Sequence, residues 1–352
     1  MINKVNISDV HFNLQQQNIS IFDVRSPSEY AKGHIPNAIN LPLFDDDERH
    51  VVGKTYKQIS AYHAILKGLD IVGPKMSNIV KSVKKSTKEA KAIYIYCWRG
   101  GKRSGSVAWL LDLVGFDINV IIGGYKSYRN FVLEGFNTLN LPLVVLGGKT
   151  GSGKTGVLSY LSEQAFSMID LEAIANHKGS AFGKVSQQPS VEYFENLLFD
   201  QIQALNISNS PIWIENESRS IGSVFIPPRM WQLMKEAPLI HIEIPFDIRL
   251  ERIVEEYGTL EIEYLKQSFL NIKQKIGGAL YGEAIDYLDQ ADLKSAAAIA
   301  LNYYDKLYQY SFDNAPNQQK YVLNSDVVDA KLNAELILDF YQKNIKTITL
   351  ND

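Results

Sequence analysis

Cysteine occurs once in the 352 residues, at Cys97. A single thiol excludes an internal disulfide and points to a reducing, cytoplasmic setting. No group of Cys and His has metal-ligand spacing, so a zinc centre is not expected. No apolar run is long enough to span a membrane, and Met1-Ile2-Asn3-Lys4-Val5-Asn6 lacks the apolar core of a signal peptide. An excess of positive charge is missing as well: 36 Lys+Arg against 39 Asp+Glu give a net charge of −3. That balance excludes a uniformly basic nucleic-acid binder and confines any RNA contact to a local patch. Internal repeats, low-complexity tracts and long linkers are absent too. What is present is ordinary for a globular protein, 45% hydrophobic and 21% charged, and long enough for two domains with a core each.

Short apolar runs alternate with helical segments from the start of the chain to about residue 138. Ile19 to Val24 reads as a buried strand, and Arg25-Ser26-Pro27-Ser28-Glu29-Tyr30 carries the marks of a helix start. Gly33 to Pro42 is a turn leading into a short strand, Ala92 to Tyr96 a central strand, Ser104 to Leu113 a helix, and Val120 to Ile122 a further strand. The pattern restarts at Leu141, with strands expected at Met168 to Asp170, Pro211 to Glu215, Leu239 to Ile244 and Tyr321 to Leu323, and mostly helix beyond Asp247. Such alternation predicts an α/β protein of two parallel-sheet domains, 1–138 and 139–352, the second with a helical C-terminal region.

Two glycine-rich loops stand where strand passes to helix. In Cys97-Trp98-Arg99-Gly100-Gly101-Lys102-Arg103-Ser104 a lone sulfur is followed by two glycines and three cations. Helix N-termini and nearby cations lower a thiol pKa from about 8.5 and make it a nucleophile. A buried core cysteine is the plainer alternative. Gly148-Lys149-Thr150-Gly151-Ser152-Gly153-Lys154-Thr155 fits the full P-loop pattern, with the required strand before and helix after. There backbone amides would hold phosphate oxygens, Lys154 would neutralise them, and the Thr155 hydroxyl could hold Mg²⁺. No Asn-Lys-x-Asp segment for guanine recognition is present, which disfavours a GTPase.

Asp23-Val24-Arg25-Ser26-Pro27-Ser28-Glu29-Tyr30, with Gly33-His34-Ile35-Pro36-Asn37-Ala38, resembles the opening of a rhodanese domain, and Cys97 sits where that family carries sulfur. A rhodanese domain fused to a P-loop domain resembles the bacterial tRNA 2-selenouridine synthase family. The stretches Gly123 to Arg129, Asp170 to Glu172, His177 to Gly183 and Glu215 to Gly222 are similar as well. The resemblance implies exchange of sulfur for selenium at C2 of a wobble 2-thiouridine in tRNA, with selenophosphate as donor and Cys97 as the chalcogen carrier. It also implies S-geranylation from geranyl diphosphate, with the P-loop gripping the departing diphosphate. A selenophosphate-producing enzyme would then be a partner.

Other residues read less sharply. Arg99, Gly100, Gly101, Lys102, Arg103 and Ser104 form the expected anion cradle. Asp170 and Glu215, at strand ends, could serve Mg²⁺ or a nucleophile, or cap helices. Arg249 and Arg252 could clamp phosphates or pair with Glu255 and Glu256 on a solvated helix. His177, Ser180, Glu217 and Arg219 complete the candidate substrate contacts. Lys75, Lys81, Lys84, Lys85, Lys88 and Lys91, opposed by Glu89, form either a solvated helix face or a phosphate-backbone contact. Five residues separate Cys97 from Arg103, as in cysteine-dependent phosphatases, yet Tyr96 stands where those enzymes place a histidine. A small-molecule kinase with a fused sulfurtransferase or phosphatase-like domain is the alternative, and a non-catalytic RNA-binding adaptor a third reading.

Overall fold

Runs of Ile, Val, Leu and Tyr too short for helices pair as strands, because their branched and aromatic side chains fit a pleated, buried surface. In the computed structural model the protein is described over residues 1–9, 19–87, 92–177, 187–205, 211–317 and 319–345. These residues form two units, Met1–Thr138 with Ser190–Ala204, and Leu139–Pro189 with Leu205–Asp352.

The first unit holds β1 (Ile2–Val5), β2 (Ile19–Asp23), β3 (Ile39–Asn40), β4 (Ala92–Tyr96) and β5 (Ile118–Ile121). They lie in the order β1-β5-β4-β2-β3, every pair parallel. The second contains β6 (Leu143–Gly148), β7 (Met168–Ile169), β8 (Ile212–Glu215), β9 (Ser220–Ile221), β10 (Val224–Phe225), β11 (Leu239–Glu243) and β12 (Lys320–Asn324). Its sheet runs β12-β11-β6-β8-β7, again all parallel, and β9 and β10 form a small antiparallel ribbon. Strands β6 and β8 are buried along their whole length, as parallel strands covered by crossover helices must be. Each buried Ile, Leu or Val side chain contributes about 1.5–3 kcal/mol. The two-sheet α/β architecture expected from the sequence is therefore present, with helices following Pro245 to the C-terminal end of the described chain.

One element departs from a division at residue 138. The helix Val191–Ala204 belongs to the first unit. Its Phe199 ring meets Phe131 and Phe136 edge-on, and Asn196 donates to His34 O and to the Tyr125 hydroxyl. An amphipathic helix goes where its apolar face finds a partner, and the partner here is the helix Gly124–Asn137.

Three helices between β3 and β4, Asp46–Gln58, Ala61–Val72 and Met76–Ser86, fill the crossover. Lys81, Lys84 and Lys85, half of the lysine run, lie on the last of these. Ile79 and Val83 are buried there, while Lys81, Lys84 and Lys85 are exposed, and Lys75 just before it pairs with Glu48. Lys88, Glu89 and Lys91 lie outside the described residues. No helix among the described residues is long and apolar enough to cross a membrane.

Candidate active site: two glycine-rich loops at strand ends

In both sheets the candidate residues leave the carboxyl ends of neighbouring parallel strands, where open α/β sheets place their ligands. In the first unit, Asp23 ends β2, Cys97 follows β4, and Gly123-Gly124 follows β5. The last two loops are stitched together. The Tyr125 amide donates to Cys97 O at 2.8 Å and the Lys126 amide to Trp98 O at 3.0 Å. A β-carbon at Gly124 would come within 2.1 Å of Cys97 O, and one at Gly100 within 2.5 Å of Ile121 O. Both residues also have positive φ, 57° and 63°, so only glycine fits either position without strain.

The sulfur sits at the head of the helix Lys102–Leu113. It accepts from the Gly101 amide at 3.3 Å and lies 3.3 Å from Ser104 Oγ. Cys97 is only 4% exposed, and that burial by itself pushes the thiol pKa up. Hydrogen bonds from the Ser104 side chain and from the amides of Ser104, Arg99 and Gly101 outweigh it, so the thiol lies below its ordinary value. These contacts favour the ionised sulfur over what burial alone would allow.

The cations are not equivalent. Arg103 donates through both terminal nitrogens to Glu29, at 2.6 and 3.1 Å. Arg99 and Lys102 are exposed, and among the described residues neither is engaged by a carboxylate. Below the loop, Arg25 is buried against Asp23 and stands 3.9 Å from the Tyr125 ring centroid. Asp23, Arg25 and Glu29, read in the sequence as parts of a motif, thus brace the loop from beneath.

In the second unit the loop between β6 and the helix Lys154–Glu163 turns through Gly151 and Gly153, at φ 81° and 79°. It leads straight into the N-terminus of that helix, the position at which phosphate is held in such loops. Lys149 pairs with Glu243 at 2.6 Å, Lys154 donates to Gly148 O, Ser152 Oγ is buried without a partner, and Thr155 is exposed. Facing the loop are Glu172, Glu215 and Glu217, with carboxylate oxygens within 4.8 Å of one another. Burial first, then repulsion from Glu172, Glu217 and Asp170, pushes Glu215 up to about 9. Burial and Glu172 raise Glu217 as well. Burial lowers the Lys154 pKa, and these same carboxylates oppose that shift. Three hard oxygen donors this close fit a small divalent cation such as Mg²⁺.

The remaining candidates separate clearly. Asp170 caps the helix Leu171–Ala175 by accepting from the Ala173 amide at 2.8 Å. Arg249 is neither a phosphate clamp nor a partner of Glu255 or Glu256. It is buried, held by Asp305 at 2.8 and 2.6 Å, and donates to Thr150 O at 3.0 Å, so it fixes the P-loop backbone. Arg252 and Arg219 are exposed. His177 Nδ1 is buried and has no hydrogen-bond partner among the described residues. Ser180, with the rest of the Lys178 to Gly183 stretch, lies outside the described residues.

The sequence reading passed over a network behind the P-loop. The Tyr308 hydroxyl accepts from the Gly148 amide at 2.7 Å and lies 3.3 Å from His241 Nδ1. His241 Nε2 lies 2.8 Å from Glu243, the partner of Lys149. Burial holds His241 below its ordinary pKa, so a neutral ring donates to Glu243 and accepts from Tyr308. The i, i+2 placement of His241 and Glu243 on β11 was a visible signal. Tyr308, 160 residues from Gly148, offered none.

The comparisons with known proteins agree with this layout. The family model for the tRNA 2-selenouridine synthase AAA domain matches residues 141–336, and the rhodanese-like domain model matches residues 7–131. A tRNA 2-selenouridine synthase of Psychromonas ingrahamii is 31% identical over 86% of this chain and 90% of its own. One from Cupriavidus necator is 33% identical over 88% and 92%. One from Pseudomonas syringae pv. syringae is 36% identical over 83% and 88%. With its rhodanese-like unit, its P-loop unit and near-full-length relatives, the chain belongs to the tRNA 2-selenouridine synthase family.

Proposed function

We propose that the protein is a cytoplasmic tRNA-modifying transferase that converts wobble 2-thiouridine to 2-selenouridine, with selenophosphate as donor, through an S-geranylated intermediate made from geranyl diphosphate. The observation that carries the reading is the pairing, in one chain of this family, of a thiol held below its ordinary pKa by hydrogen bonds with a P-loop at a helix N-terminus. In the first step the 2-thio sulfur attacks C1 of the geranyl group, and the C1–O bond breaks with its electrons leaving on the diphosphate. In this reading the P-loop amides and Lys154 take up that growing charge, and the position of Lys154 at the head of the helix supports it. Alkylation converts sulfur into a better leaving group, after which the selenium of selenophosphate adds at C2, the geranyl thiolate departs, and water cleaves the P–Se bond to release phosphate and leave the 2-selenouridine. Cys97 handles the chalcogen in this exchange, and Ser104 and Gly101 hold its sulfur in the reactive form.

Glu172, Glu215, Glu217 and Thr155 would hold Mg²⁺, which when bound supplies positive charge beside the diphosphate. The selenophosphate-producing enzyme is the natural partner, since the donor must reach Cys97 intact.

The test supplies purified protein with 2-thiouridine tRNA, geranyl diphosphate and Mg²⁺, and no nucleotide. Geranylated tRNA should form, and selenophosphate should then convert it to the seleno form. Strict dependence on ATP would move the P-loop to the kinase reading.

A further inference from the structure

Trp98 follows the thiol directly, and the chemistry assigned so far does not use it. Cys97 is 4% exposed, whereas Trp98 keeps 38% of its surface open to solvent. The indole is nevertheless held in place. It packs 5.8 Å from the Tyr125 ring, Tyr125 is pinned by Arg25 and by a hydrogen bond to Glu192, and Trp98 O accepts from the Lys126 amide. Around this fixed aromatic surface stand Arg99, Lys102 and Lys126, all exposed. Among the described residues none of these three side chains has a hydrogen bond or ion pair.

A rigid open ring beside unpaired cations is how proteins grip unstacked nucleotides: the base stacks on the ring and the cations take the phosphates. A base inside an anticodon loop must leave its stack to meet a buried sulfur, and a waiting indole offsets part of that loss. We infer that Trp98 is the stacking platform for the uridine base presented to Cys97, with Arg99, Lys102 and Lys126 taking the neighbouring phosphates. This rests on the reading above that the substrate is tRNA. Trp109 supplies an internal contrast. It is 55% exposed but lies seven residues into the helix Lys102–Leu113, about 10 Å along its axis from Lys102.

The test measures binding of an end-labelled anticodon stem-loop RNA carrying wobble 2-thiouridine, and of the same RNA made abasic at that position. Trp98→Ala should bind the intact RNA roughly tenfold to a hundredfold more weakly than wild type. Trp98→Phe should restore most of the affinity, Trp98→Leu should not, and Trp109→Ala should match wild type. On the abasic RNA, Trp98→Ala and wild type should bind alike. The rate of Cys97 alkylation by iodoacetamide, followed in every variant, reports whether the loop is intact. If Trp98→Ala disturbs it, the contrast between Phe and Leu decides. Undiminished binding by Trp98→Ala and Trp98→Leu, or an equal loss on intact and abasic RNA, overturns the inference and leaves the tRNA reading standing. Failure of wild type to bind either RNA removes that reading and this inference with it.

Discussion

The Cys97 loop and the P-loop share one backbone plan, a buried parallel strand, glycines and a helix N-terminus, and they differ in what surrounds them. Around Cys97 the acids are already matched: Asp23 is held by Arg25 and Glu29 by Arg103. What acts on the sulfur is the Ser104 hydroxyl and the amides of Ser104, Arg99 and Gly101. Around the P-loop the balance reverses. One buried and two half-buried carboxylates gather near Lys154, and Glu215 is pushed up to about 9. At the first loop hydrogen bonds favour a negative sulfur; at the second the clustered acids resist ionisation, as a site without a counter-charge must. The same loop geometry therefore carries opposite electrostatics, and the neighbouring strands decide which.

Substitutions that separate the loops test this contrast. The largest effect belongs to Cys97→Ala, which should abolish selenium incorporation while geranylation proceeds at near wild-type rate. Nucleoside mass analysis of the product tRNA distinguishes the two modifications, and seleno-tRNA made at wild-type rate would sink the role given to Cys97. Lys154→Ala should do the converse. Loss of one oriented charge at a developing anion costs on the order of 3 kcal/mol, about a hundredfold in rate. Geranylation should fall by that factor, with stem-loop RNA binding and Cys97 alkylation unchanged.

A smaller effect is expected from Tyr308→Phe, which leaves the buried Gly148 amide without its acceptor. A lost hydrogen bond of this kind costs about 1 kcal/mol. That corresponds to a rise of roughly fivefold in KM for geranyl diphosphate, with little change in the exchange step at Cys97. An unaltered KM would show that the network behind the P-loop does not position it.

The smallest change is set by Ser104→Ala, which removes the main side-chain contact to the thiolate. The midpoint of the alkylation–pH profile should move up, since the largest of the contacts that lower the thiol is gone. Stability should follow with a defined sign. Because the folded thiol lies below its unfolded value, its contribution is present above the unfolded pKa and is lost as pH falls through the folded one. Wild type should thus gain stability over Ser104→Ala as pH rises through that interval. A profile that does not move would mean that the Gly101 and Arg99 amides alone hold the thiolate.

Much of this was legible before any coordinates. The alternation of short β-branched runs with helices placed β2, β4, β8 and β11 within a residue of where they lie, since strand burial leaves a local mark on composition. Both loops announced themselves through glycines that tolerate positive φ and through the residue types beside them. The strand β1, with most of its residues exposed, carried no such mark, and neither did the ribbon of β9 and β10. The site residues divide along the same line. Cys97, Lys154 and the loop glycines stand in contiguous motifs, where spacing along the chain equals placement in space. Glu172 joining Glu215 and Glu217, Tyr308 reaching the Gly148 amide, Asp305 withdrawing Arg249 from the phosphates, and Val191–Ala204 joining the first unit all depend on which strands and helices become neighbours. Local periodicity and glycine chemistry act over a few residues and are written in the sequence. Pairings across tens to hundreds of residues follow from burial and strand order, which the folded chain satisfies only as a whole.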